Sequence, residues 1–218
     1  MSGTGLSGDV VRLLDWVAHL VTLTERRTDD IAGHGQRVAE LCQALSDPLE
    51  LPADERAILW HAARLHDIGI LVISDSLFHL PGPVGEEQEA LFRSHSRVGA
   101  DLLGALQGAG ALVPLVLHHH ERVDARGYPE GVTGDRLSLP EHVLIVANAF
   151  DAMVNPRPYL WHQALSPQQA AHRLQQGRGA AYDARVVDAW ESAHIVGGGS
   201  IYAGDHGDQL HAHRGQER

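Results

Sequence analysis

The pair His66-Asp67 places an imidazole and a carboxylate in adjacent positions. It ends a strongly apolar segment that is predicted to be a helix packed in the core. Adjacent side chains of a helix point about 100° apart, so the pair could grip two sides of a metal centre that lies across the helix. A neutral imidazole beside a carboxylate suits zinc, iron or manganese. An isolated pair is more often a core histidine hydrogen-bonded to a neighbour, so the case for a metal depends on other residues.

Other predicted helices carry similar residues on faces that are otherwise apolar. His34 lies on the face of Leu41, and His95 lies on the face of Leu91 and Leu102. The polar residues that the helical spacing aims at the core in this way are Asp30, His34, His66, Asp67, His95, His119, His120, Asn148 and Asp151.

These polar groups would be expensive to bury separately. Each one costs on the order of 1–3 kcal/mol if it is buried without a partner. We therefore expect them to converge on something that satisfies them together, and a metal cluster does so. The alternative is that backbone groups or water satisfy each of them on its own.

Composition limits the possible function classes. The chain has 218 residues, 44% of them hydrophobic, and a net charge of -11, which argues against nucleic acid or an anionic membrane as the main partner. No apolar run reaches the length of a membrane span, and the first residues lack the basic region of a signal peptide, so a cytoplasmic protein is expected. Cys42 is the only cysteine, which excludes an internal disulfide and a thiolate-rich zinc site. All 17 basic residues are arginine.

The apolar spacing is helical almost throughout, which predicts an all-α fold. We expect an N-terminal helix within residues 1–28, a domain over 29–195, and a disordered Gly- and His-rich tail over 196–218. The predicted helices are Asp9 to Thr24, Asp29 to Ser46, Pro52 to a stop at Gly69, Glu86 to Leu106 with a break, Ala111 to Glu121, Glu141 to Val154, one opened by Ser166-Pro167, and Asp183 to Ala193.

Several separated motifs resemble the HD-GYP domain family in their order and approximate spacing. They are His34, His66-Asp67, His95, His119-His120-Glu121-Arg122 and Gly127-Tyr128-Pro129, with flanking matches at Arg37-Val38, Leu80-Pro81-Gly82-Pro83, Phe150-Asp151-Ala152 and Arg157-Pro158-Tyr159. The resemblance implies an HD-superfamily helical bundle with a buried site for two or three transition-metal ions, iron or manganese. It also implies the hydrolysis of cyclic di-GMP or a related cyclic dinucleotide.

The resemblance further implies roles for single residues. The implied metal ligands are His66, Asp67, His95, His119, His120 and Asn148, with His34 and Asp30 completing a third metal site. The implied catalytic carboxylates are Asp67 and Asp151, and the implied substrate-binding residues are Tyr128, Arg157 and Arg122. The Gly127-Tyr128-Pro129 loop also implies a docking surface for a diguanylate cyclase.

Four positions depart from the family pattern. Asn148 stands where the family has a ligand Asp, and an amide oxygen lacks the charge and the bridging capacity of a carboxylate. Ile70, Leu80 and Leu160 stand where the family commonly has lysine or another polar residue, so positive charges that would cradle a phosphate are missing. Asp151 lies about one turn from Asn148 and could substitute for the lost carboxylate.

Three hypotheses follow from this pattern. The first is a metal-dependent phosphodiesterase for a cyclic dinucleotide, with reduced or altered activity. The second is a degenerate module that senses a nucleotide or binds a partner without turnover, and the third is an HD hydrolase of another phosphate ester. Retained histidines favour an enzyme, whereas the missing lysines favour the second hypothesis. The assembly state is left open, with a homodimer as one possibility.

Overall fold

The computed structural model describes residues 5–25, 33–73, 85–155 and 164–193 together with residue 195. Within these ranges the α-helices are α1 (Gly8–Glu25), α2 (His34–Ser46), α3 (Ala53–Leu65), α4 (Glu86–Arg93), α5 (His95–Gly104), α6 (Val113–His118), α7 (Leu139–Val154), α8 (Pro167–Gln176) and α9 (Ala184–Ser192). The described residues also form short 3-10 helices at Ile68–Val72, Gly110–Leu112 and Gly134–Arg136. Their only β pairing consists of isolated bridges. The all-α prediction is therefore confirmed.

Helix α7 lies in the middle of the core. It is buried on almost every side from Pro140 to Asp151, as expected for a helix whose apolar residues are not confined to one face. Helix α2 packs against both α3 and α7, and α6 contacts α3, α5 and α7. The start of α2 and the ends of α3 and α6 meet beside α7, and this arrangement positions the polar side chains that the sequence singled out.

Helix α1 packs on the same core through one of its two apolar faces. Leu14, Ala18 and Val21 are buried among the residues of the other helices, whereas Trp16 on the outer face is 63% exposed. Residues on both sides of residue 28 thus share one core. The division at that residue stays a prediction, and the tail over 196–218 lies outside the described residues.

Two predicted helix boundaries near the candidate site were wrong. Helix α2 begins at His34 rather than Asp29, because Gly33 takes a left-handed conformation with φ 75°. Helix α3 ends at Leu65 rather than near Gly69, and Asp67 (φ -93°, ψ 11°) precedes the 3-10 helix. Gly69 serves close packing and not a helix stop, since a Cβ there would lie 2.0 Å from the carbonyl oxygen of His95.

The predicted buried face of the segment around His95 was also wrong. Leu91 and Leu102 are 48% and 40% exposed, although His95 itself is buried. The chain breaks between α4 and α5, as predicted, and the buried face of α5 carries small residues such as Ser96 and Gly99. These small residues allow α5 to approach its neighbours closely, and a large apolar side chain is not needed to mark the face.

The remaining predictions of helix ends hold with small shifts. Helix α6 is shorter than expected and ends at His118, where the backbone turns through a hydrogen bond of 2.8 Å from the Glu121 amide to the His118 carbonyl. The hydroxyl of Ser166 accepts a hydrogen bond from the Gln169 amide, as predicted for the N-cap of α8. None of the helices in the described ranges has the length and apolar character needed to cross a membrane.

Candidate metal centre

Seven of the predicted site residues meet in the core, six of them at or next to helix ends and the seventh, Asn148, within α7. His34 is the first residue of α2, His66 directly follows α3, and His95 is the first residue of α5. His119 and His120 directly follow α6. Except for His120, which is half-buried, these histidines are buried, as are Asp67 and Asn148. Positions at helix ends free each side chain from its own helix, so several can point to one centre.

The carboxylate of Asp67 lies between two groups of imidazoles. Its Oδ1 is 3.3 Å from Nε2 of His95 and 3.6 Å from Nε2 of His119. Its Oδ2 is 3.5 Å from Nε2 of His66 and 3.8 Å from Nε2 of His34. A carboxylate placed in this way offers one oxygen to each group of imidazoles.

Each group forms a compact set of potential ligand atoms. The ligand atoms of Asp67, His95, His119 and His120 all lie within 4.8 Å of one another, and so do those of His34, His66 and Asp67. On the second side, Oδ1 of Asn148 adds a neutral oxygen 3.1 Å from Nε2 of His34. The arrangement therefore offers two neighbouring positions for a cation.

Hydrogen bonds at the outer nitrogens fix the protonation of these imidazoles. The Nδ1 atoms of His66, His95 and His119 donate to backbone carbonyls at 2.7, 2.6 and 2.7 Å. The acceptors are the carbonyl oxygens of Ala63, Phe92 and Val116. A carbonyl oxygen can only accept, so Nδ1 carries a hydrogen in each ring, and in the neutral form of the ring Nε2 keeps its lone pair.

The Nε2 atoms of these rings and of His34 face one another in pairs at short range. Nε2 of His95 is 3.1 Å from Nε2 of His119, and Nε2 of His34 is 3.1 Å from Nε2 of His66. Two lone pairs at this distance repel unless a cation lies between them or one ring takes up a proton. Burial opposes protonation, since it lowers the pKa of His66 to about 3 and also lowers the pKa of His119. The donor set thus fits transition-metal ions.

Asp151 lies behind His34 and not among the ligand atoms. Its Oδ2 accepts a hydrogen bond of 2.6 Å from Nδ1 of His34, and Arg37 binds both oxygens at 2.8 and 3.0 Å. Burial raises the pKa of Asp151, but hydrogen bonds and charges from His34 and Arg37 outweigh it and hold that pKa well below its usual range. Because both oxygens are engaged, the geometry does not support the expectation that Asp151 replaces the missing carboxylate ligand. It orients His34 instead.

The Gly127-Tyr128-Pro129 loop is held against the same centre. The Tyr128 ring stacks on His120 with ring centroids 4.6 Å apart, and the Tyr128 amide donates to the carbonyl oxygen of His120 at 3.2 Å. Gly127 allows this approach, since a Cβ there would lie 2.4 Å from Cα of Glu121. The loop therefore supports His120, in addition to any role at the surface.

Glu121 anchors this loop from inside the protein. Its side chain is buried, and Oε1 accepts hydrogen bonds from the amides of Glu130 and Gly131 at 2.7 and 2.9 Å. Glu121 belongs to a motif that was identified in the sequence, but no role was predicted for it, and none was predicted for Arg37. The feature of the sequence that could have indicated a role for Glu121 is an acidic residue directly after the pair His119-His120.

A cavity of about 320 Å³ opens beside the centre. His119, His120 and Asn148 form part of its wall, and the predicted substrate residues Tyr128 and Arg122 line it too. Further lining comes from Phe92, Glu121, Ile145, Ala149, Ala152 and Tyr182. The Nε and Nη2 atoms of Arg122 donate hydrogen bonds to the two carboxylate oxygens of Asp124 at 2.9 and 2.7 Å, so Asp124 already neutralises part of the charge of Arg122.

Some of the positions singled out in the sequence fall outside the part of the chain that the structure describes. Asp30, Arg157, Leu80 and Leu160 lie outside the described residues. Ile70 is half-buried in the 3-10 helix that follows Asp67. A third metal site that includes Asp30 as a ligand therefore stays a prediction. The contact between Arg157 and the substrate phosphate also stays a prediction.

Fold and site together define the class of protein. The sequence model of the HD domain matches residues 18–186, and the chain belongs to the HD domain family. It is 33% identical over 177 residues to the cyclic di-GMP phosphodiesterase response regulator RpfG of Xanthomonas campestris, which covers 79% of this chain and 46% of that protein. It is 32% identical over 157 residues to the 3'3'-cGAMP-specific phosphodiesterase 1 of Vibrio cholerae, covering 71% of this chain and 36% of that protein.

A solved structure shares the fold. An HDG"Y"P protein from Bdellovibrio bacteriovorus superposes with a TM-score of 0.59 at 20% identity, over 73% of this chain and 50% of that one. These findings confirm the resemblance to HD-GYP domains. The chain spans less than half the length of the two curated relatives.

Proposed function

We propose that this chain is a metal-dependent phosphodiesterase that hydrolyses a cyclic dinucleotide. The observation that carries the proposal is the set of acceptor atoms around Asp67, which fits metal ions and borders a cavity. The names of the curated relatives, which act on cyclic di-GMP or 3'3'-cGAMP, support the substrate class.

We assign the ions to two neighbouring positions. His95, His119 and His120 would hold one, His34 and His66 would hold the other, and Asp67 would contact both. The chemistry of the set favours iron or manganese, because imidazole nitrogens are combined with carboxylate and amide oxygens and no thiolate. Such ions would neutralise phosphate oxygens and lower the pKa of a water molecule.

The chain's own residues would hold this site in its working geometry. Arg37 fixes Asp151, Asp151 fixes His34, and backbone carbonyls fix the other rings, so that each Nε2 stays directed at the centre. Glu121 holds the loop that places Tyr128 on His120. Rigid ligands of this kind avoid reorganisation when the phosphate charge develops in the transition state.

The departures from the family pattern support a reduced rate. Asn148 gives the cavity wall an amide where a carboxylate would add charge, and Ile70 gives an aliphatic side chain three residues after Asp67. Among the residues predicted to bind phosphate, Arg122 is partly neutralised by Asp124. These same features favour the second candidate function, a nucleotide-binding module without turnover.

Hydrolysis assays separate the candidates. The full chain, loaded with Mn²⁺ or with Fe²⁺ under anaerobic conditions, is expected to convert cyclic di-GMP or 3'3'-cGAMP to linear dinucleotide. The matched control is His95→Ala, which should lose the activity. A loaded wild type that binds the cyclic dinucleotide but releases no product would favour the binding module. If the loaded wild type neither hydrolyses nor binds the cyclic dinucleotide but hydrolyses another phosphate ester, the third hypothesis would be favoured.

Two partner predictions remain. Helix α1 exposes Leu13, Trp16, Leu20 and Leu23 at alternating spacings of three and four residues, which is typical of a coiled-coil seam and supports a homodimer through α1. Sedimentation of the full chain should show a dimer that Trp16→Glu dissociates and Leu102→Glu, at another exposed leucine, does not. A monomeric wild type would refute the homodimer.

Docking of a diguanylate cyclase on the Gly127-Tyr128-Pro129 loop stays a prediction.

A further inference from the structure

The cavity beside the candidate metal centre has an aromatic wall that no motif predicted. Phe92, Tyr128 and Tyr182 all line it, together with the apolar side chains of Ile145 and Ala149. Aromatic and aliphatic surfaces suit a flat, largely apolar group such as a nucleobase, whereas the charge of a phosphodiester belongs at the histidine cluster.

Tyr182 differs from the other two rings in its surroundings. Phe92 contacts the ring of His95, and Tyr128 stacks on His120 and lies beneath Arg93. Among the described residues, no other ring contacts Tyr182, and none hydrogen-bonds its hydroxyl group. Its half-buried ring packs against the hydrophobic core, and the part of the ring that lines the cavity is open to a ligand.

The local backbone holds Tyr182 in place before any ligand binds. Its amide donates to the carbonyl oxygen of Gly177 at 3.1 Å, and its own carbonyl accepts from the Gly179 amide at 2.8 Å. The ring lies directly against Gly177, since a Cβ there would come within 2.7 Å of two ring carbons. The next residue, Asp183, caps α9. A ring fixed in this way loses little entropy when it binds a base.

The size of the cavity limits what it can enclose. Ligand pockets commonly span about 300–1,000 Å³, and the 320 Å³ here is at the lower end of that range. One nucleotide unit fits this space better than both halves of a cyclic dinucleotide. The second half would then lie outside the cavity.

We infer that Tyr182 is a specificity-determining residue that stacks on one base of the substrate while the adjoining phosphodiester lies at the histidine cluster. This inference rests on the proposed function. It assigns base recognition to the connection between α8 and α9, which lies outside every motif that the sequence analysis identified. Stacking of a base on an aromatic ring is worth about 1–3 kcal/mol, or about five- to 150-fold in affinity.

The test compares two substrates. Full-length wild type, Tyr182→Leu and Tyr182→Phe, loaded equally with Mn²⁺, are assayed on cyclic di-GMP and on ethylene phosphate, a small reactive cyclic diester that has no aromatic ring. Tyr182→Leu should raise KM for cyclic di-GMP about tenfold to a hundredfold and leave kcat/KM for the small diester within about twofold. Tyr182→Phe, which keeps the ring, should restore the wild-type KM for cyclic di-GMP.

Three results would overturn the inference. They are an unchanged KM for cyclic di-GMP in Tyr182→Leu, an equal loss on both substrates, and a failure of Tyr182→Phe to restore KM. If the wild type hydrolyses neither cyclic di-GMP nor 3'3'-cGAMP, the proposed function fails and the inference is judged by binding of 5'-GMP. Equal affinity of wild type and Tyr182→Leu for 5'-GMP would then overturn it, and a loss of about tenfold in Tyr182→Leu would support it.

Discussion

Replacing Asn148 with aspartate should have opposite effects on the metal-free and the metal-loaded protein. Asn148 is buried on α7, and its Oδ1 lies 3.1 Å from Nε2 of His34. The change Asn148→Asp keeps the shape of the side chain and adds a negative charge. In the metal-free protein that charge would be buried beside Nε2 of His34, which itself lies 3.8 Å from Oδ2 of Asp67. In the loaded protein it would face cations.

The geometry sets the size of both effects. A buried charge without compensation costs about 3–5 kcal/mol, and a chain of this length loses about 2–4 °C in Tm per kcal/mol. Asn148→Asp should therefore lower the Tm of the metal-free protein by about 6–20 °C. With metal, a charged ligand should tighten binding by about ten- to a hundredfold, or about 1.4–2.7 kcal/mol.

Thermal unfolding with EDTA and with excess Mn²⁺ measures both effects, and titration of Mn²⁺ gives the affinity. The control is Asn148→Leu, which removes the amide oxygen without adding charge and should weaken metal binding. An equal decrease in Tm for Asn148→Asp with and without Mn²⁺ would refute this prediction, because it would show that the added carboxylate does not interact with a bound metal ion.

Other predictions follow from the same contacts. Glu121→Ala should destabilise the protein by about 2–5 kcal/mol in urea unfolding, because the amides of Glu130 and Gly131 lose a buried acceptor, and Glu121→Gln should recover most of the loss. Metal-free protein should lose stability as the pH falls from about 6.5 toward 3. Burial lowers the pKa of His66 to about 3, so in this range the unfolded chain binds a proton that the folded protein does not. A free energy of urea unfolding that does not change with pH would contradict this prediction. Ile70→Lys should raise kcat for cyclic di-GMP about thirtyfold or more at equal metal content, and an unchanged kcat would show that the missing lysine does not limit the rate.

Residues that share a helical face with apolar neighbours were the most predictable part of the site. His34 and His119 were found in this way, because a polar residue on a buried face must be satisfied there. His95 was chosen for the wrong reason, since its supposed neighbours Leu91 and Leu102 are exposed. The inner face of α5 is marked by small residues, which periodicity of large apolar residues does not detect.

Contacts between distant segments explain what the sequence could not predict. Helix α3 ends before Asp67, and Gly69 packs on the backbone of His95, a contact that joins two separate elements. From its spacing, Asp151 was expected to be able to substitute for the carboxylate missing at Asn148, but His34 and Arg37 bind its oxygens. Such pairings depend on how the helices pack, and no local pattern encodes them.

The transition-metal content of the full chain, purified without oxygen, tests the central claim most directly. The two groups of ligand atoms around Asp67 predict about two equivalents of iron or manganese per chain, and less in a variant that combines His95→Ala with His66→Ala. Less than about half an equivalent in the wild type, with no uptake of added Fe²⁺ or Mn²⁺, would contradict it. The histidines would then be core residues satisfied without metal.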